Sequence, residues 1–270
     1  MIGSNAQKAR CGCKLISLPK SGCFLVRCGG FLIPPLIFIT GTDTDVGKTL
    51  VTSLLGLRLQ RRGVRVGAMK PFASGCHLNE HRVLESADAT FLCDTLRLQD
   101  EMSLINPCRW TEALTPLAAS RRENTPFRNV WNEAKPALEK LQSRYDCVLV
   151  EGVGGLSAPI FHQENGAIWT NQDLINELGC PVVVVARRTL GTINHTSLTC
   201  RAPLQNGSHF AGIVWCDSIP IEENDIAAAT SPALVEEITG LKSWGTVPFL
   251  ENLERRTLES AAQNFLSWPV

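Results

Sequence analysis

Residues 36–49 read Leu36-Ile-Phe-Ile-Thr-Gly41-Thr-Asp-Thr-Asp-Val-Gly47-Lys48-Thr49, and this stretch decides the fold of the 270-residue chain. The apolar start predicts a buried strand, the glycine-bounded segment a tight loop, and the leucine spacing after Thr49 a helix that stops at Gly63. A loop that opens a helix offers converging N–H groups, the Lys48 ammonium and the Thr49 hydroxyl, which suit a phosphate chain and its Mg²⁺. Five residues separate the two loop glycines, where the ordinary pattern has about four. The order of the parts nevertheless predicts a P-loop.

Downstream of this loop, short apolar runs alternate with longer helical patterns. Strands are predicted at 64–69, 147–150, 181–185, 210–215 and 245–247, and helices at 81–98, 116–122, 126–144, 171–178, 192–204, 225–239 and 256–266. Continuously apolar strands are typical of a sheet covered on both faces. The alternation predicts one α/β domain over 36–270, with a doubly wound, mostly parallel sheet of the P-loop NTPase type and ligands at the carboxyl ends of its strands.

Composition excludes several classes of partner. The 26 Lys and Arg balance 26 Asp and Glu, so no basic field favours nucleic acid or an anionic membrane. The apolar stretch at 31–39 contains two prolines and is far shorter than the roughly 20 residues of a membrane-spanning helix. Eleven cysteines in a chain of this length favour reduced thiols in a cytoplasmic protein over a disulfide framework.

The first 35 residues differ from the rest of the chain. No Asp or Glu occurs before Asp43, and the segment carries five basic residues and four cysteines, namely Lys8, Arg10, Lys14, Lys20, Arg27, Cys11, Cys13, Cys23 and Cys28. The favoured interpretation of 1–35 is an extension that is disordered or without function. An organelle transit peptide and a zinc site are the alternatives, although the cysteine spacing lacks the Cys-x2-Cys pairs of structural zinc.

Two further strand ends carry charged residues. Lys70 follows the second strand, in Lys70-Pro-Phe-Ala-Ser-Gly75, and its strand end is expected to neighbour the P-loop strand. Glu151 directly follows the third strand and precedes the small residues Gly152, Val153 and Gly154, which allow a ligand to approach the backbone. Lys70 is either a solvated strand-end lysine or a second cation for a reacting anion, and the shape of its loop favours the second interpretation.

A magnesium site is predicted from oxygen ligands around the loop. Thr49, Asp88 and Glu151 would supply a hydroxyl and two carboxylates, although Asp88 alone could equally be an exposed helix residue. A second anion site is expected at the helix start at Gly191, Thr192, Ile193 and Asn194, where free N–H groups suit a substrate carboxylate.

The motifs taken together resemble the dethiobiotin synthetase family. They are Gly-Thr-Asp-Thr-Asp-Val-Gly-Lys-Thr, Lys-Pro-Phe-Ala-Ser-Gly, Ser-Ala-Asp, Glu-Gly-Val-Gly-Gly and Leu-Gly-Thr-Ile-Asn-His, in order between residues 36 and 250. The five-residue gap in the phosphate loop is that family's own form. The resemblance implies that an amine of 7,8-diaminononanoate takes up CO₂ as a carbamate, which ATP phosphorylates with Mg²⁺. The second amine then closes the ureido ring.

The resemblance also implies roles for individual residues. Lys70 and Lys48 would be catalytic, and Ser74 would contact the substrate. Gly191 to Asn194 would bind the substrate's tail carboxylate across the interface of a homodimer. The nucleotide would be held by Asp45, Val46, Gly47, Lys48, Thr49, Leu50, Asp88, Glu151, Gly152, Val153, Gly154, Asp217, Pro248, Phe249 and Leu250.

Substitutions at Lys70 and Cys216 would test these roles. Lys70→Ala is expected to abolish ring closure with little effect on folding. Cys216 stands where the family commonly has Asn, and a thiol lacks the paired donor and acceptor of an amide. Base selectivity could therefore be relaxed, or the loop at 248–250 could provide it. If Cys216 meets the base, Cys216→Asn should favour ATP over other nucleoside triphosphates.

Two alternative functions remain open on the sequence alone. Another amide- or ring-forming ligase of the same branch, such as a cobyrinic acid amidating domain, would need a glutamine amidotransferase, for which the chain has no room. A ParA/MinD-like ATPase would be expected to carry a second lysine in the phosphate loop, where 41–49 contain only Lys48. The tail at 264–270 is too short and uncharged to bind a membrane strongly.

Overall fold

The computed structural model describes residues 14–17, 24–28, 31–125 and 129–267. The strands are Lys14–Ser17 (β1), Phe24–Cys28 (β2), Phe31–Ile33 (β3), Leu36–Gly41 (β4), Val66–Met69 (β5), Phe72–Ala73 (β6), His77–Leu78 (β7), Leu84–Glu85 (β8), Cys108–Arg109 (β9), Cys147–Gly155 (β10), Pro159–His162 (β11), Ile168–Thr170 (β12), Pro181–Ala186 (β13), His209–Cys216 (β14) and Ser243–Val247 (β15). The helices are Lys48–Arg61 (α1), Ala87–Leu96 (α2), Met102–Ile105 (α3), Pro116–Arg122 (α4), Trp131–Arg144 (α5), Asn171–Leu178 (α6), Thr192–Cys200 (α7), Ile226–Thr239 (α8) and Arg255–Asn264 (α9).

A six-stranded parallel sheet forms the centre of the domain, in the order β15-β14-β13-β4-β10-β5. All six predicted strands belong to it, so the predicted α/β class is confirmed. The expected adjacency of the P-loop strand β4 and the Lys70 strand β5 is wrong, because β10 lies between them and pairs with both. Glu151, near the carboxyl end of β10, therefore lies between the two lysine-bearing segments.

Both faces of this sheet are covered. Along β4, Ile37 and Ile39 join the apolar cluster that contains leucines of α1 and α9, whereas Leu36 and Phe38 join the cluster that contains Trp131 of α5. Successive residues of a strand point to opposite faces, so each face receives alternate side chains. This double covering explains why the strands are continuously apolar and why the site lies at the end of the sheet.

A helix start or end differs from the predicted one by four or more residues at three places. The helix expected at 81–98 begins at Ala87, because the Ser86 side chain accepts from the Ala89 N–H as a cap and the preceding residues form the β7–β8 hairpin. The helix expected at 192–204 ends at Cys200, ahead of Pro203. The β11–β12 hairpin and the short helix α3 were not predicted. Helix α5 begins at Trp131, and 126–128 of its predicted range lie outside the described residues.

The N-terminal segment contributes three described strands. β1, β2 and β3 form an antiparallel sheet, and β3 leads into β4 through Pro34 and Pro35. Cys11, Cys13 and Cys23 lie outside the described residues, so the three interpretations of 1–35 stay predictions. Among the helices described in 31–125 and 129–267, none has the length and apolar character needed to cross a bilayer.

Candidate active site at the carboxyl ends of the strands

The P-loop packs directly on the core of the domain. Gly47 caps α1 with a φ of 88°, and a Cβ placed on it would lie 2.4 Å from Cys216 Sγ. Only glycine fits both the left-handed conformation and this close approach. Asp45 also has a positive φ of 53°, and the Lys48 ammonium donates to the Asp43 carbonyl over 2.9 Å. The loop is therefore compactly folded, and the Lys48 side chain bends back to contact it.

A cavity of about 620 Å³ opens beside this loop. Ten residues of the predicted site line it, namely Asp45, Gly47, Lys48, Thr49, Lys70, Ser74, Asp88, Glu151, Val153 and Gly154. The helix start at Gly191 and the predicted residues after β14 do not line it. It is also lined by residues that the sequence did not single out, namely Thr44, Ala113, Leu114, Thr115, Ala158 and Ser218. The chain thus brings six separate segments to one cleft.

A buried network of charges lies at the base of the cleft. Lys70 Nζ donates to Glu151 Oε1 over 2.7 Å and also contacts Asp88 Oδ2. Thr49 Oγ1 donates to the same Glu151 oxygen over 2.8 Å. Lys70 is 4% exposed and Glu151 is fully buried, whereas the Asp88 side chain is 47% exposed. Lys70 is therefore not a solvated strand-end lysine.

Charge pairing opposes the effect of burial on the pKa values of the two lysines and of Asp88. Burial alone would lower the pKa of Lys70, but Glu151 and Asp88 outweigh it and raise that pKa above its ordinary value. Burial would raise the pKa of Asp88, but the charge and hydrogen bond of Lys70 lower it, with a smaller contribution from Thr49. The pKa of Lys48 is lowered, first by burial and then by Lys70, against the attraction of Glu151. Pairing thus outweighs the cost of desolvation at Lys70 and Asp88, whereas burial prevails at Lys48.

One carboxylate oxygen of this network is left over. Among the described residues, Glu151 Oε2 is buried and has no hydrogen-bond partner. An unpaired buried anion oxygen is costly, and oxygen atoms are the preferred ligands of Mg²⁺. With the Thr49 hydroxyl and the partly exposed Asp88 carboxylate beside it, Glu151 forms a donor set that fits a divalent cation.

Backbone contacts hold Lys70 in place. Its N–H donates to the Ile105 carbonyl over 2.8 Å, and the fully buried Asn106 amide donates to its carbonyl over 2.6 Å. The next residues pair with β9 through Phe72 and Cys108. Asn106 was missed because a single amide before a proline carries no recognisable pattern. It fixes the segment that presents the ammonium.

The glycine-rich end of β10 is also fixed. A Cβ on Gly152 would lie 2.8 Å from the Phe38 ring, so this glycine allows the strand to pack tightly. The buried Asn171 amide donates to the carbonyls of Val153 and Gly155 over 2.5 and 2.8 Å. The backbone of this segment thus faces the cavity in a defined position.

Several predicted residues contribute no side chain to the cleft. Val46 is fully buried in the core, and Leu50 and Leu250 pack against it, so any contact they make with a nucleotide is through backbone atoms. Cys216 is likewise fully buried, beneath Gly47. The condition on which Cys216→Asn would favour ATP, contact of this side chain with the base, is therefore not met by its position.

Asp217, Pro248 and Phe249 line a second cavity, of about 390 Å³, together with Arg188. Arg188 pairs with both oxygens of Asp217, at 3.0 and 2.5 Å. Because Ser218 lines the first cavity and Asp217 the second, the two cavities flank the same loop after β14.

The predicted carboxylate site lies apart from both cavities. Gly191 and Asn194 are exposed at the start of α7, Ile193 is half-buried, and Thr192 is buried with its hydroxyl 3.0 Å from that of Thr196. In the described part of the chain none of these four residues lines either cavity. Within one protomer the structure does not bring them to Lys70.

Comparison with known proteins places this site in a family. A family model described as an AAA domain matches residues 36–257. The chain is 40% identical over 233 residues to the ATP-dependent dethiobiotin synthetase BioD of Thermodesulfovibrio yellowstonii, covering 84% of this chain and 95% of that protein. Proteins of the same name from Nitrosopumilus maritimus and Bacillus subtilis (strain 168) are each 31% identical. They cover 82% of this chain and 92% and 90% of their own lengths.

Proposed function

Since the chain belongs to the ATP-dependent dethiobiotin synthetase family, we propose that it closes the ureido ring of dethiobiotin in biotin biosynthesis. The substrates are 7,8-diaminononanoate, CO₂ and ATP. One amine adds to CO₂ to give a carbamate and releases a proton, and a carbamate oxygen then takes the γ-phosphoryl group from ATP. The second amine attacks the carbamoyl carbon, loses a proton and expels phosphate. The convergence of Lys48, Lys70 and Glu151 on one cavity carries this proposal.

The two ammonium groups would lower the main barrier of this reaction, which is the electrostatic repulsion between two anions. A carbamate and a triphosphate must approach within bonding distance, and positioned cations in a partly dry cleft stabilise the charge that develops there. Lys48, which donates to the Asp43 carbonyl within the P-loop, lines the cavity and would hold the phosphates. Lys70 lies on the other side of Glu151 and would face the carbamate. No protein nucleophile is required.

We propose that Thr49, Asp88 and Glu151 hold Mg²⁺ with the nucleotide. Their support is the buried, unpartnered Glu151 Oε2 beside a hydroxyl and a second carboxylate. When bound, the ion supplies neutralisation of the phosphate oxygens. The backbone of the P-loop and the glycine-rich end of β10 would enclose the phosphates, because Asp45, Gly47, Lys48 and Thr49 of the one and Val153 and Gly154 of the other line the cavity.

The diamine would lie between Lys70 and Ser74 on the side of the cavity away from the P-loop. We propose that its tail carboxylate is bound by Gly191 to Asn194 of a second copy in a homodimer. Support comes from the exposed position of this helix start, apart from both cavities, and from two apolar side chains that flank it. Leu190 is 90% exposed and Leu198 is 64% exposed. Apolar residues in solvent next to a polar helix start are typical of an interface.

We also propose a cytoplasmic location for the enzyme. Five described cysteines, Cys76, Cys93, Cys147, Cys200 and Cys216, carry free thiols. Free thiols at these positions support a reducing compartment.

A product assay tests the function directly. The protein is incubated with 7,8-diaminononanoate, ¹³C-bicarbonate, ATP and MgCl₂, and the product mass is measured together with released phosphate. A product that retains one labelled carbon and forms in proportion to phosphate supports the proposal. Phosphate release that does not depend on the diamine would contradict it.

A further inference from the structure

The second cavity is placed to receive the far end of a nucleotide. It lies beyond the ends of β13, β14 and β15, and the adjacent residues Asp217 and Ser218 line the two cavities in turn. A triphosphate bound at the P-loop would therefore extend its nucleoside toward Arg188 and Phe249. The Phe249 side chain is 43% exposed, so its ring is available for contact with a base.

The main polar feature of this cavity is a closed ion pair. Arg188 Nε donates to Asp217 Oδ1 over 3.0 Å, and Nη2 donates to Asp217 Oδ2 over 2.5 Å. Asp217 is 5% exposed and its N–H donates to the Val247 carbonyl, so the carboxylate is held at the end of β14. A two-bond fork of this kind occupies the carboxylate with good geometry. The fork uses one lone pair of each carboxylate oxygen, and burial of Asp217 beneath Arg188 screens the remaining lone pairs from a ligand.

The remaining polar groups around the cavity are engaged or solvated. Asp225 Oδ1 accepts from the Ala228 N–H over 2.9 Å as the cap of α8. Glu222 and Glu223 are exposed at the rim, where water competes for them. Arg188 Nη1 lies 3.4 Å from the Ala228 carbonyl, which is a long contact, so it keeps donor capacity. Among the side chains of the described residues, the cavity thus offers a base a cationic donor and no free buried acceptor.

This balance of donors and acceptors decides which bases are distinguished. A free carboxylate can accept two N–H groups of guanine, and an amide can pair with the amino group and ring nitrogen of adenine. A guanidinium instead requires an acceptor, and adenine, guanine and cytosine all have one. Resting on the proposed use of a nucleoside triphosphate, we propose that Arg188 is a specificity-determining residue. By occupying Asp217, it withholds the acceptor that would select a base by its N–H groups.

Kinetics with different nucleotides test this assignment. We would measure kcat/KM for ATP, GTP and CTP with saturating diamine and bicarbonate, and Kd for each nucleotide by calorimetry without the diamine. The wild-type values should fall within about tenfold of one another. Arg188→Met frees the Asp217 carboxylate, so the ratio of GTP to ATP should rise at least about tenfold in both measurements. Arg188→Met/Asp217→Ala should lose that rise, because the acceptor is gone.

The chain offers a matched control at the opposite end of the sheet. Arg65 makes the same fork to Asp146, at 3.1 and 2.7 Å, and Asp146 is 6% exposed. This pair lies at the amino ends of β5 and β10, away from the P-loop. Arg65→Met should leave the nucleotide ratio unchanged. If Arg188→Met gives the same ratio as Arg65→Met, or if the wild type prefers ATP by about a hundredfold, the assignment to Arg188 is wrong. Absence of dethiobiotin with every nucleotide would instead overturn the proposed function, while the Kd ratios still decide the role of Arg188.

Discussion

Removing the Lys70 ammonium should cost the protein stability as well as activity. In Lys70→Ala the fully buried Glu151 carboxylate loses its 2.7 Å ion pair and keeps the Thr49 hydroxyl as its partner. Breaking a buried pair by removing one partner costs about 3–5 kcal/mol. The half-exposed Asp88 adds roughly 0–1 kcal/mol, because water screens it. Attraction between Lys48 and Glu151 places the loss toward the lower end of this range. The expectation of little effect on folding is thereby revised.

The assay is thermal unfolding at pH 7 without divalent cations. For a domain of this size a loss of 3–5 kcal/mol corresponds to a fall in Tm of roughly 6–20 °C. Lys70→Ala/Glu151→Gln should recover at least half of that fall, because the amide carries no charge to desolvate. Millimolar Mg²⁺ should raise the Tm of Lys70→Ala more than that of the wild type, because a bound cation stabilises the folded state.

An exposed lysine provides the control. Lys135 Nζ pairs with Glu177 over 3.0 Å, and about half of each side chain is exposed. Lys135→Ala should leave the Tm close to that of the wild type and ring closure intact, because water screens the exposed pair. Equal stability of Lys70→Ala and Lys135→Ala would refute the reasoning, because the buried pair would then contribute no more than a surface pair.

Four further substitutions and conditions probe other parts of the site. Gly47→Ala should lower stability by about 1–3 kcal/mol and abolish nucleotide binding in calorimetry, since its φ of 88° and its contact with Cys216 exclude a Cβ. Cys216→Asn should cost about 1–3 kcal/mol in urea unfolding, because the amide would be buried beneath the P-loop, and should not alter base preference. The pKa of Asp88 is lower in the folded protein than its ordinary value near 4. The stability that the ionised carboxylate provides is therefore present above about pH 4 and is lost as the pH falls through the folded pKa. The difference in urea midpoint between wild type and Asp88→Asn should accordingly shrink below about pH 4. Leu190→Glu should convert a dimer to monomers in light scattering without unfolding the chain, because the side chain is 90% exposed; a dimer that persists would place the interface elsewhere.

The phosphate loop and its partners could be predicted because each is tied to a strand end. Lys48 and Thr49 follow β4, Lys70 follows β5, and Glu151 ends the apolar run of β10. Parallel strands bring their carboxyl ends to one edge, so a local pattern in each segment was enough to place them in one cleft.

The order of the strands could not be predicted in the same way. Apolar runs identify strands but carry no information about which strand pairs with which, and the insertion of β10 between β4 and β5 depends on packing. The same limit applies to Asn106 and to the Arg188–Asp217 fork. Each depends on a contact between residues that are distant in the chain and have no local pattern.

The close packing of Gly47 on Cys216 has a consequence for how the enzyme meets its nucleotide. A loop anchored to a fully buried residue of β14 acquires its shape when the domain folds, rather than when phosphate arrives. Little conformational entropy then remains to be lost on association, so more of the energy of the phosphate contacts appears as affinity. Nucleotide binding is therefore expected to use a preformed site rather than to be coupled to folding of the loop.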